Sequence, residues 1–212
     1  LKDFIIDPSG KMLLLVSTTS DMGDTNTGGH DVAVIKLNSD GTLDTSFSSD
    51  GIYQFGNSNL SGDSYSGSNA RDFEIDNSGN IYIAGYSDGD YEETNGGSRD
   101  IIVLKLTSAG VPDNSFAGNG VLHLGDASLG TNADGSDRAT AITVDINGNV
   151  YVTGYTNGNL DETNAGDDDI FVLKLTSAGI LDNTFASNGI LQLGASTFPA
   201  ATAGDIPTAI IV

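Results

Sequence analysis

Asp88, Asp90 and Glu92 occupy alternate positions of one short stretch, DGDYEETNGGSRD (88–100), and Asn157, Asn159 and Asp161 do so in NGNLDETNAGDDD (157–169). Oxygen ligands at every second residue of a Gly-containing loop are a common way to wrap a hard cation. These six residues are therefore the candidate metal ligands, with Ca2+ as the candidate cofactor. Carboxylate and amide oxygens suit calcium rather than zinc or copper, and the chain has no cysteine and two histidines. The pattern is not an EF-hand, because Glu93 and Glu162 stand where that loop needs glycine and no glutamate closes it. The first stretch of this kind, TSDMGDTNTGGHD (19–31), is weaker still, with Gly23 at the third ligand position. The competing reading is a set of solvated hairpin connections whose Asp, Asn and Gly residues serve turn geometry.

Other residues invite a catalytic reading and do not sustain it. Asp100 and Asp169 follow the acidic stretches, and Lys105 and Lys174 lie five residues on. They recur, and a scaffold repeats its turn caps and ion pairs in every unit, whereas a catalytic group is needed once. The same argument makes Asp7, Asp76 and Asp145 the first residues of turns that end at Gly10, Gly79 and Gly148. His30 and His123 come with no nucleophile motif, and there is no G-x-S-x-G, H-E-x-x-H or phosphate-binding glycine loop. His123, in VLHLG, reads as an ordinary strand side chain. Tyr53, Tyr82, Tyr86, Tyr151 and Tyr155 could stack on sugars if exposed, but alternate strand positions favour packing. No catalytic residue is assigned, and the chain is read as a non-enzyme.

The elements that must position these residues come from a repeat. DFIIDPSGKMLLLVSTTS, DFEIDNSGNIYIAGYSDG and AITVDINGNVYVTGYTNG align without gaps. Asp7, Asp76 and Asp145 recur at intervals of 69 residues, as do Asp31, Asp100 and Asp169, and Phe47, Phe116 and Phe185. Three whole units follow, at 1–70, 71–139 and 140–207, and TAIIV (208–212) reads as the first strand of a fourth.

Each unit predicts four strands. In the second these are DFEID (72–76), IYIAGYS (81–87), DIIVLKL (100–106) and VLHLG (121–125). The second is rich in β-branched and aromatic residues, and the third is apolar on both faces, as a strand covered from both sides must be. Phe47, Phe116 and Phe185 read as plugs between neighbouring units. No sustained amphipathic helix is present, so the fold class is all-β. Tandem four-stranded antiparallel sheets predict the blades of a β-propeller, which bury the sheet faces and leave only short protected edges. A β-solenoid and a row of sandwich modules fit the unit length less well. Three blades and a strand do not close a ring comfortably, which predicts that further blades of the same protein, or other chains, complete it.

Two resemblances rest on these motifs. GNVYVTGYT followed by DIFVLKLTSAG resembles the bacterial β-propeller repeat called SBBP. LDTSFSSDGI, PDNSFAGNGV and LDNTFASNGI resemble the delta-60 repeat. The resemblance covers nearly the whole chain and implies a propeller scaffold from large secreted or surface-displayed bacterial proteins, not a reaction. This chain departs from it in having a longer unit.

Composition bounds the partners. The 212 residues carry 29 acidic and 8 basic side chains, a formal charge of −21. That charge opposes nucleic acid and anionic membrane surfaces. No apolar run reaches membrane-spanning length, and Leu1 does not begin a signal-peptide pattern, so the chain reads as a mature or excised segment. The function expected is non-catalytic: an extracellular or cell-surface scaffold that binds protein or glycan through loops on one acidic rim. The alternatives are a hydrolase or lyase whose catalytic residues lie outside this segment, and an architectural stalk stiffened by calcium.

Overall fold

The computed structural model describes residues 1–22, 29–56, 67–88, 99–125, 135–161, 164, 168–194, 197 and 206–212. Twelve strands form three four-stranded antiparallel sheets. The first blade contains β1 (Asp3–Ile6), β2 (Met12–Thr18), β3 (Asp31–Leu37) and β4 (Ile52–Phe55). The second contains β5 (Ser68–Ile75), β6 (Ile81–Ser87), β7 (Asp100–Leu106) and β8 (Val121–Leu124). The third contains β9 (Asp137–Val144), β10 (Val150–Thr156), β11 (Asp169–Leu175) and β12 (Ile190–Leu193). Strands follow chain order within every sheet, the up-and-down meander of a propeller blade.

Two apolar cores lie between the blades, and strand alternation divides the middle blade between them. Ile81, Ile83, Ile102 and Leu104 face the first blade and pack with Leu13, Leu15, Val32 and Val34. Tyr82, Ala84, Ile101 and Val103 face the third and pack with Val150, Val152, Phe171 and Leu173. Every residue of β6 and β7 is consequently buried, the environment that their doubly apolar sequences require.

Phe47 and Phe116 act as the expected plugs, and the structure identifies what they plug. A Cβ at Gly110 would press on the Phe47 ring, and one at Gly179 on the Phe116 ring, so each phenylalanine of one blade seats on a glycine of the next. Backbone bonds accompany each plug: the Ser48 N–H donates to Ala109 O at 2.8 Å, and the Ala117 N–H to Ala178 O at 2.9 Å. Phe185 has no following blade in this chain and is only half-buried.

One detail differs from the sequence reading. β5 starts at Ser68 rather than at 72, because Ser68–Ala70 pair with Ser87–Gly85 before the register shifts between Ala70 and Asp72. The third blade shifts in the same way opposite Thr153 and Gly154. This bulge requires glycine on the neighbouring strand: a Cβ at Gly85 would overlap the carbonyl oxygen of Asn69, and one at Gly154 that of Arg138. Residues 206–212 run on without joining a ladder. In the three blades the ladder partner of a first strand is the second strand of its own unit, and 208–212 have no such partner among the described residues.

Candidate functional site

The recurrent aspartates are structural parts, repeated blade by blade. Asp7, Asp76 and Asp145 each accept two backbone N–H bonds with Oδ1, closing the turn between the first two strands of their blade. Asp44, Asp113 and Asp182 each take a hydroxyl at 2.6 Å, from Ser46, Ser115 and Thr184. A lysine completes each of these: Lys11 at 2.7 Å, Lys105 at 2.9 Å and Lys174 at 2.8 Å. Lys11 and Ser46 hold Asp44 down at about 2. Ser115, against the opposing effect of burial and with help from Lys105, does the same for Asp113, and Lys174 with Thr184 for Asp182. Burial alone would lower Lys105, but its bonds to Asp113 and Tyr82 outweigh that and raise it.

Asp31, Asp100 and Asp169 open the third strand of each blade and are buried. Glycine is needed opposite them, since a Cβ at Gly56, Gly125 or Gly194 would overlap the respective carboxylate. In the first blade Gln54 Nε2 donates to Asp31 Oδ2 at 2.6 Å, and in the third Gln192 Nε2 donates to Asp169 Oδ2 at 2.9 Å. The other end of the amide holds the loop between the second and third strands. Gln54 Oε1 accepts the Met22 N–H at 2.8 Å, and Gln192 Oε1 accepts those of Leu160 and Asp161 at 3.0 and 3.1 Å. Gln54, His123 and Gln192 are 69 residues apart, so His123 occupies the glutamine's place in the second blade. Its Nε2 lies 3.6 Å from Asp100 Oδ2. Histidine is therefore a substitution in a repeated latch, an equivalence that counting along the repeat exposes and residue type hides.

The described members of the candidate calcium set each have a partner within the protein. Asp88 pairs with Arg99 at 2.8 Å. Asn157 Oδ1 accepts the Ser136 N–H at 2.7 Å, and Asn159 Oδ1 the Asn164 N–H, also at 2.7 Å. Asp161 Oδ1 accepts from Asn188 Nδ2 at 2.7 Å. Asp90 and Glu92 lie outside the described residues. Among the described residues no three acidic, histidine or cysteine side chains come together as a metal site.

Tyr82 and Tyr86 are buried, while Tyr53, Tyr151 and Tyr155 are half-buried with cations or core side chains against them. Asp72 Oδ2 accepts the Ile142 N–H of the next blade at 2.9 Å. Burial raises Asp72 and Glu74, and the charge of Asp3 on the first blade's inner strand adds to both shifts. The acidic stretches leave the blades after β2, β6 and β10, so they share one rim. No helix is long and apolar enough to cross a membrane among the described residues.

Comparison with known families agrees with this architecture. The SBBP family, described as a beta-propeller repeat, matches residues 125–161, which contain β9, β10 and the start of the third acidic stretch. A domain of unknown function described as a beta-propeller (DUF5122) matches twice, at 8–47 and 77–116, each match running from the first turn of a blade to its plug phenylalanine. A search of curated proteins found no match. With three meander sheets, inter-blade plugs and these matches in agreement, the chain is a β-propeller repeat protein.

Proposed function

We propose that this segment is a non-catalytic propeller scaffold that binds a protein or glycan through the loops of its acidic rim, in an extracellular or cell-surface setting. One observation carries the reading. The conspicuous aspartates and lysines recur at equivalent places and are engaged in turn closure, ion pairs or the strand-opening latch, the use a scaffold makes of residues repeated in every unit. Function on such a scaffold resides in what does not repeat, chiefly loops. A formal charge of −21 keeps nucleic acid away from the molecule and suits a salt-rich exterior.

The end faces support a role for further blades as partners. Phe4 and Ile6 on β1 are 54% and 59% exposed, and Phe185 is half-buried where Phe47 and Phe116 are covered. Apolar faces of this kind fit the flank of another blade. Screening the chain against arrays of glycans and cell-surface proteins tests the reading: saturable binding of a defined ligand is expected, and recovery of none contradicts it.

A further inference from the structure

All three arginines of the chain, Arg71, Arg99 and Arg138, gather around the ring of Tyr86. Their guanidinium carbons lie 5.1, 5.3 and 5.9 Å from its centroid. Arg71 also donates to the Tyr86 hydroxyl at 3.0 Å, and Arg138 to that of Tyr155, likewise at 3.0 Å. The three are far apart in sequence and come together by topology. Arg71 is the bulge residue between Ala70 and Asp72, Arg99 precedes β7, and Arg138 is the second residue of β9. The Asp137 N–H donates to Arg99 O at 2.7 Å, which fixes the two blades to each other at this point. The cluster therefore sits at the inner-strand end of the acidic rim, at the junction of the second and third blades.

Two properties separate it from the repeated devices. First, it occurs once: the residues 69 positions before Tyr86, Arg71 and Arg99 are Ser17, Lys2 and His30. Second, it is under-neutralised. Arg99 pairs with Asp88 at 2.8 Å, whereas Arg71 and Arg138 have no carboxylate partner among the described residues, and the buried Nε of Arg138 has no hydrogen-bond partner there. Like charges held together on one ring repel, in a chain with 29 acidic residues available to relieve them. Arg71 is exposed while the Tyr86 ring is buried, so the Arg71 guanidinium is within reach of an incoming group.

We propose that this cluster is a binding site for a single carboxylate, received by the Arg71 and Arg138 guanidinium groups over the Tyr86 ring. Planar guanidinium forks match a carboxylate through paired N–H donors. A compact monoanion feels the local cluster, because charges farther away than about 8 Å are screened at physiological salt. An extended polyanion meets the repulsion of the whole molecule. The proposal rests on the reading of this rim as a binding face and adds the ligand's chemistry.

The full chain labelled with 15N tests it, since three arginines give three Nε–Hε signals. The probes are N-acetylglycine for a peptide terminus and glucuronate for an acidic sugar, with N-acetylglycinamide as the neutral control. The expected result is that the arginine signals follow one saturating curve with a carboxylate probe and stay still with the amide. The tighter probe identifies the source of the carboxylate. Arg71→Gln and Arg138→Gln should each weaken binding about tenfold or more, and Tyr86→Phe, which keeps the ring, should weaken it less. Signals that do not move, or that move without saturating, overturn the proposal. So does a parent that binds no carboxylate while the glutamine variants melt lower, which assigns the arginines to the chain's own acidic stretches. A ligand found on the arrays whose binding survives in the double glutamine variant overturns this site and leaves the proposed function standing. Saturable carboxylate binding without any array ligand has the opposite meaning.

Discussion

His123 Nε2 lies 3.6 Å from the buried Asp100 Oδ2, at the place where glutamine meets aspartate at 2.6 and 2.9 Å in the neighbouring blades. The imidazole brings its Nε2 toward the carboxylate. His123→Gln should bring the glutamine–aspartate bond of the neighbouring blades into this one in place of what the imidazole holds, and change stability by no more than about 1 kcal/mol, the usual net worth of such a bond. Thermal and urea melts measure it, and a larger loss of stability would show that the histidine is the better partner in this blade.

Phe116→Ala should destabilise the chain by about 3–5 kcal/mol, because the ring is fully buried against Gly179 of the next blade and leaves a cavity that the sheets cannot close. Phe185→Ala removes the same atoms from a half-buried position and should have less than half that effect. Equal losses in urea denaturation would contradict the plug account.

Acid should unfold the protein through Asp44, Asp113 and Asp182. The fold holds all three at about 2, below the unfolded value of about 3.9. The unfolded chain therefore takes up protons first, so their contribution is complete above about pH 4 and is lost as pH falls toward 2. Asp72 and Glu74 run the opposite way, since burial raises both; their contribution is present at low pH and is lost as pH rises through the raised values. Melting temperatures from pH 2 to 7 should fall steeply on the acid side, less so in Asp113→Asn. Asp72→Asn should reduce any decline as pH rises above the usual carboxylate range.

Much of the architecture was legible because a 69-residue interval recurs in Asp, Gly, Lys and Phe, and because β6 and β7 carry the doubly apolar pattern of covered strands. The start of β5 was not legible. Gly67, Ser68 and Asn69 have the composition of a linker, and they become strand only through cross-strand pairing with Ser87–Gly85 and the bulge at Arg71. The latch was hidden because Gln54, His123 and Gln192 share a repeat position and not a residue type. The arginine cluster was beyond sequence reasoning, since it depends on which ends of two blades meet. Its one sequence signal was that a chain with three arginines has none in its first blade.

Calcium removal should leave the melting temperature unchanged. Asn157, Asn159 and Asp161 already use side-chain oxygens within the protein, and Asp88 is paired with Arg99. Melting with and without EGTA decides this, and a drop of several degrees would return the metal to the acidic stretches.

The central claim is that repeated residues build the blades while ligand binding belongs to the acidic rim. The most direct measurement is hydrogen exchange on the full chain with and without a ligand recovered from the glycan and protein arrays. The account predicts protection confined to the rim where β2, β6 and β10 end, with the opposite turns at Asp7, Asp76 and Asp145 unchanged. Protection centred on those turns, or arrays that yield no ligand, would contradict it.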